Sequence, residues 1–186
     1  MMHIDLLYPI KFTPILKEKI WGGEKLTSLF NKKSCAHKIG ESWELSGVKD
    51  HISVVANGEF KDFKLGDLIA QFTSDFVGEK IYKEFGNEFP LLFKFIDAKE
   101  DLSIQLHPND ALAKKRHNSF GKTEMWYVLD ADQDAKLYAG FTHALDKELY
   151  AKALEKGTLL DLIHVDTVAT GDAFFIEVGT IRSIGK

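Results

Sequence analysis

Apolar and polar positions change rhythm often along this chain, and the rhythm predicts many short strands and few helices. In LSIQLHP, Leu102, Ile104 and Leu106 alternate with Ser103, Gln105 and His107. A period of two puts Gln105 and His107 on one face of a strand and the three aliphatics on the other. GESWELSG, bounded by Gly40 and Gly47, predicts a strand through Trp43 and Leu45, with Glu41 and Glu44 flanking. HISVVANG carries Ile52, Val54 and Val55 and ends on Asn57-Gly58, a turn signal. PLLFKFIDA is almost continuously apolar after Pro90 and reads as a buried strand. EMWYVLDA and AKLYAGF read as a pair joined around 131–134, and DAFFIEVGTIRSIG as further strand.

Helical rhythm is rarer. LGDLIAQF predicts a short helix, and DALAKKRH predicts another opened by Pro108-Asn109. ALDKELYAKALEKG is the clearest: Leu145, Leu149 and Ala153 recur at i, i+4 and i+8 with Leu154 beside them. Asp146 is placed to cap its start and Gly157 to stop it. The sum is a mainly β protein with a few inserted helices.

Composition narrows the class. A length of 186 residues suits one domain with a sizeable core. The 14 Phe, 5 Tyr and 3 Trp exclude disorder as the main state. Lys plus Arg is 24 and Asp plus Glu is 28, a net charge of −4 with no long basic block, which argues against nucleic acid as a partner. No run approaches the ~20 apolar residues of a membrane span, and MMHIDLLYPIKF lacks the plan of a secretory leader. The one cysteine, Cys35, forms no disulfide framework and is expected to be an inert core residue in a reducing, cytoplasmic setting.

The sharpest chemical feature is Gln105-x-His107 on a strand, with Glu124 opening another. Two side chains at i and i+2 converge as metal ligands must, and zinc takes imidazole nitrogen and carboxylate oxygen in four-coordinate sites. Neutral Gln and His with one Glu would leave the ion positive and a strong Lewis acid. The same spacing also suits a polar solvent face, and His107 before Pro108 also suits a strand end. Lys94, between Phe93 and Phe95, is either a cation facing a polar cavity or an edge lysine with its stem along the surface. Lys122 in GKTE is either a second anion-holding cation or a loop lysine. His37, His51, His117, His143 and His164 are scattered and take no role. Lys114-Lys115-Arg116-His117 reads as a solvated helix face.

The stretches LKEKIWGGEKL, GESWELSG, PLLFKFIDAKEDLSIQLHPND, FGKTEMWYVLDA and GDAFFIEVGTI resemble type I mannose-6-phosphate isomerases in their short bacterial form. The resemblance runs from near residue 16 to the end of the chain. It implies a cupin fold, a β-sandwich barrel with helical additions, and one Zn²⁺ per chain. It also implies interconversion of mannose 6-phosphate and fructose 6-phosphate, with a small sugar phosphate as the partner. Carried over residue by residue, the metal ligands fall on Gln105, His107 and Glu124. The substrate-binding positions fall on Lys94, Ser103 and Lys122. Trp21 and Gly22 match an early W-G-G element that shapes the pocket. No catalytic residue or base is assigned, and oligomeric state is left open.

Two departures stand out. The family's second ligand histidine, in G-T-x-H, is replaced here: Gly179-Thr180-Ile181-Arg182. Guanidinium has no lone pair to offer. Unless it turns into solvent it opposes a metal, since two unit charges at ~4 Å repel by about 4 kcal/mol at an effective dielectric of 20, and a divalent ion doubles that. In addition, relatives continue beyond this point and carry a catalytic arginine there. The chain is therefore expected to be a single cupin-like catalytic domain over 1–186, incomplete at its C-terminal end. It would be a truncated or decayed member, a piece of a longer protein, or the product of a frameshift near residue 180. Two functions follow: a zinc-dependent isomerase, or an impaired remnant that at most binds a sugar phosphate.

Overall fold

The computed structural model describes residues 8–34 and 36–186, and every strand pairing among them is antiparallel. The readings made on residues 1–7 and on Cys35 lie outside the described residues. Two compact units divide the chain, Met1–Asp97 and Ala98–Lys186, and each is taken by itself.

In the first unit, β1 (Ile15–Gly23), β2 (Ile39–Ser46) and β3 (Leu92–Ile96) form one sheet in the order β1-β2-β3. β1 and β2 approach so closely at Gly22 that an added Cβ would stand 2.5 Å from the Gly40 nitrogen. Short helices α1 (Lys25–Ser28), α3 (Ser74–Val77) and α4 (Glu79–Phe85) accompany the predicted α2 (Leu65–Phe72). α2 buries Leu65, Leu68, Ile69 and Phe72, the i, i+3, i+4, i+7 stripe of an amphipathic helix. Leu68 and Phe72 meet Val55 and Phe60 in the core, with Tyr8, Ile10, Phe12 and Phe76 packed around them. Tyr8 keeps its hydroxyl satisfied there, donating to the Asn57 carbonyl at 2.7 Å and accepting from the Phe60 N–H at 3.0 Å. An open apolar cavity of about 340 Å³ lies against Leu65, Phe76, Ile81 and Phe89, and no candidate site residue lines it.

The second unit holds a four-stranded sheet in the order β4-β9-β6-β7 and a two-stranded ribbon β5-β8. The strands are β4 (Gln105–Leu106), β5 (Glu124–Tyr127), β6 (Lys136–Phe141), β7 (Ile163–Thr167), β8 (Ala173–Ile176) and β9 (Ile181–Ile184). Both predicted helices are present. α5 (Asp110–His117) starts at Asn109, whose side chain accepts from the Leu112 N–H at 3.0 Å. α6 (Lys147–Lys156) starts at Asp146, which accepts from the Leu149 N–H at 2.7 Å, and stops at Gly157. Lys114, Lys115, Arg116 and His117 are exposed, as a solvated helix face should be. Among the described residues no helix is long and apolar enough to cross a membrane.

The mainly β, cupin-like class with inserted helices is as the sequence predicts, but several local readings change. EMWYVLDA and AKLYAGF do not pair with each other. β5 pairs with β8, and β6 sits between β7 and β9, partners that lie later in the chain. DAFFIEVGTIRSIG splits into β8 and β9 at Gly179, whose positive φ of 81° turns the chain. HISVVANG makes only isolated bridges, Val55 to Phe12 and Val54 to Lys64. PLLFKFIDA is not buried on both faces: Leu91 and Phe93 are exposed. β4 is two residues long, and Leu106 lies largely exposed rather than on a packed face. Strands β1 and β7, with their Lys and Glu or His and Asp interruptions, gave no clear strand pattern in the sequence.

Candidate active and metal site

β9 is the central strand on which the second unit's polar cluster is built. Its register sets Gln105 of β4 directly across from Arg182 and sets Ala139 of β6 on the other side. Three backbone bonds fix the surrounding loops: Gly179 N–H to the His107 carbonyl at 3.0 Å, Lys122 N–H to the Pro108 carbonyl at 3.4 Å, and Thr180 N–H to the Glu177 carbonyl at 3.2 Å. On β5 the strand alternation turns Glu124 and Trp126 inward while Met125 and Tyr127 face out. His107, Lys122, Glu124 and Arg182 thus meet, though they come from three separate segments.

Glu124 is the hub. Its Oε2 stands 2.7 Å from Arg182 Nε, and its Oε1 stands 3.3 Å from Lys122 Nζ and 3.5 Å from His107 Nε2. Arg182 is 1% exposed. Its two terminal nitrogens donate to the Thr180 carbonyl at 2.9 Å and the Lys122 carbonyl at 3.1 Å. The Nε–H is not aimed along the line to Glu124, so that contact is an ion pair rather than an aligned hydrogen bond. Burial pulls the guanidinium below its usual value, yet arginine stays charged. The escape route left open by the sequence, a side chain turned to solvent, is not taken.

The donor set can be tested against a metal. His107 Nε2 is buried with no hydrogen-bond partner. Two ligand atoms on a tetrahedral zinc at ~2.0–2.1 Å lie roughly 3.3–3.4 Å apart, close to the 3.5 Å between His107 Nε2 and Glu124 Oε1. That pair fits one edge of an ion. The charge balance opposes it: Lys122 and Arg182 already outnumber the single carboxylate. Gln105 is exposed on β4. Among the described residues no group of three or more His, Cys, Asp or Glu could hold a metal. The residues present thus offer a metal one edge, His107 Nε2 and Glu124 Oε1, beside two cations that oppose it.

Of the substrate positions, Ser103 is exposed and the Lys122 side chain is 42% exposed, so both are open to a ligand. Lys94, in the first unit, is already engaged. Its Nζ donates to Glu41 Oε1 at 3.1 Å, while Trp43 Nε1 donates to Glu41 Oε2 at 2.8 Å. Burial by itself pushes the Glu41 carboxyl up, but the Trp43 bond and the Lys94 and Lys19 charges outweigh it and hold it below its ordinary value. Sequence reasoning missed Glu41, although a carboxylate between Gly40 and Trp43 on a strand was the visible signal. Among the other described histidines, His164 meets Asp166, His143 meets Thr142, and His51 meets Lys17.

The family model described as "Phosphomannose isomerase type I, catalytic domain" matches residues 10–167. That span includes Gln105, His107, Lys122 and Glu124; Arg182 lies beyond it. The mannose-6-phosphate isomerase ManA of Bacillus subtilis is 37% identical over 179 residues, covering 96% of this chain and 55% of that protein. A crystal structure of the Bacillus subtilis mannose 6-phosphate isomerase superposes with a TM-score of 0.87 at 33% identity, covering 97% of this chain and 56% of that one. A mannose 6-phosphate isomerase crystallised with zinc and yttrium shares the fold at a TM-score of 0.70 and 16% identity, over 95% of this chain and 65% of that one. The chain spans about half the length of the curated relatives it matches most fully.

Proposed function

The chain belongs to the type I phosphomannose isomerase family, matched across its catalytic domain, and from that premise we propose that it acts on a sugar phosphate, interconverting mannose 6-phosphate and fructose 6-phosphate. The observation that carries this reading is the buried, unpartnered His107 Nε2 facing Glu124 beside the open Lys122, within the span that the family model matches. Such a reaction belongs to cytoplasmic metabolism, a setting that suits a chain with one cysteine.

In this proposal Gln105, His107 and Glu124 hold one Zn²⁺. Bound there, zinc supplies positive charge against the oxygens of an enediol-like transition state. The chain's own residues do the rest. Lys122 offers its ammonium to the phosphate or a sugar oxygen as a mobile point charge. Ser103 offers a hydroxyl donor. Lys94 is the third substrate candidate, with Glu41 holding its ammonium in place. Isomerisation moves one proton from C2 to C1 and one between the adjoining oxygens, so no atom is gained or lost. Lys122 must leave Glu124 for an ion to take Oε1, and its exposure permits that.

A second reading has its own support: Arg182, buried against Glu124, favours a protein that binds a sugar phosphate without turning it over. A coupled assay of fructose 6-phosphate formation separates the two. The first reading predicts slow turnover that rises with added zinc and is lost in Glu124→Ala. Bound mannose 6-phosphate with no turnover at saturating zinc would establish the second reading instead.

A further inference from the structure

We propose that Arg182 is the resident counter-ion of Glu124, standing in for a metal both as charge and as cross-link, so that the second unit keeps its site without zinc. The proposal rests on the site assignment above but not on turnover. Three features carry it. First, Arg182 Nε stands 2.7 Å from Glu124 Oε2 while the guanidinium is 1% exposed, so the carboxylate is neutralised from within. Second, the terminal nitrogens reach the Thr180 and Lys122 carbonyls. One side chain on β9 thereby joins β5, the loop before it and the turn before β9, segments that a shared metal would otherwise tie together. Third, His107 Nε2 is buried without a hydrogen bond. Arginine stands against Glu124 Oε2, and the imidazole nitrogen, 3.5 Å from Oε1 with no aligned bond, is the ligand atom left unused.

The two cations on Glu124 differ in a way that matters. Lys122 is a half-exposed side chain free to swing away, whereas Arg182 cannot leave without abandoning two carbonyls in a buried setting. A divalent ion entering between His107 and Glu124 therefore meets a fixed positive neighbour. Removing that neighbour and supplying a second imidazole should convert a self-sufficient site into a metal-dependent one.

The test uses the full chain stripped with a chelator, followed by calorimetric zinc titration and thermal melting with and without zinc. At zinc 100 times the Kd of Arg182→His, which only half-fills a site 100-fold weaker, the unmodified chain is expected to melt within about 2 °C of its zinc-free temperature. Arg182→His is expected to bind zinc about 100-fold more tightly than the unmodified chain. Its apo form should melt lower, and zinc at 100 times its Kd should raise that melting point by roughly 5–10 °C. Arg182→Met, which has no ligand to offer, should melt lower and stay low with zinc. Arg182→Lys serves as a folded control that keeps the charge, and its melting should remain indifferent to zinc. Chelation that lowers the melting of the unmodified chain, or equally tight zinc binding with and without Arg182, would overturn the proposal. Neither readout depends on catalysis, so an inactive protein that behaves this way would refute the isomerase reading and leave Arg182 as the counter-ion.

Discussion

Glu41→Gln is expected to cost the first unit about 2–3 kcal/mol at neutral pH, and much less in acid. Glu41 is 8% exposed and receives Trp43 Nε1 at 2.8 Å and Lys94 Nζ at 3.1 Å, with Lys19 Nζ at 3.9 Å. Glutamine is nearly the same shape, so packing is preserved and the loss is the charge. Lys94, 19% exposed at its side chain, is left facing an amide. Breaking a fully buried pair from one side costs ~3–5 kcal/mol, and a hydrogen bond to a charged group is worth ~1.5–3 kcal/mol. The residual exposure at both ends and the acceptor that glutamine keeps set the figure near the lower range. The pH dependence follows from the carboxyl's position below its ordinary value of 4.5. A carboxyl lowered by folding adds stability above its unfolded value and loses it as pH falls through the folded value. The gap between parent and variant should thus be full at pH 7, begin to close below about pH 4.5, and shrink steadily toward pH 3. Urea unfolding followed by tryptophan fluorescence across that range measures it. A gap that stays constant or widens in acid would refute the charge argument.

Three further outcomes follow from the same structure. Gly22→Ala should destabilise by about 2 kcal/mol or more, because the new methyl meets Gly40 and Ile39 backbone atoms; a urea midpoint equal to the parent's would contradict this. Asp146→Ala should cost about 1 kcal/mol by removing the cap of α6, with Asp146→Asn close to neutral, both read from melting curves. Lys122→Met should leave the melting temperature near that of the parent but weaken mannose 6-phosphate binding about tenfold, and unchanged affinity by calorimetry would remove Lys122 from the substrate site.

Much of this molecule was legible in its sequence where local rules dominate. α5 and α6 begin and end at the residues that cap them, and α2 shows its apolar stripe. Those signals lie within a dozen residues of one another. Strand pairing was less legible because it is decided by residues far apart: β5 waits for β8, and β6 for β7 and β9. The exposed face of β5, with Met125 and Tyr127, also breaks the rule that apolar strands are buried. At the candidate site, motif and spacing named His107 and Glu124, which the fold brings together, while Gln105 lies exposed on β4. The meeting of Glu124 with a buried Arg182 could not be named from them, because the arginine's fate depended on two backbone carbonyls that only the folded turns bring into reach. The clue in hindsight is a cation inside the apolar run of β9, which must find a partner to be buried there.

Whether the cluster around Glu124 moves the C2 proton of mannose 6-phosphate can be read directly. Incubating the full chain with mannose 6-phosphate and zinc in D₂O and following deuterium at C2 by NMR tests it most directly, because exchange registers proton abstraction even when net conversion is slow. Exchange is expected to rise with zinc and to disappear in Glu124→Ala. Mannose 6-phosphate that binds at saturating zinc yet retains its C2 proton would contradict it.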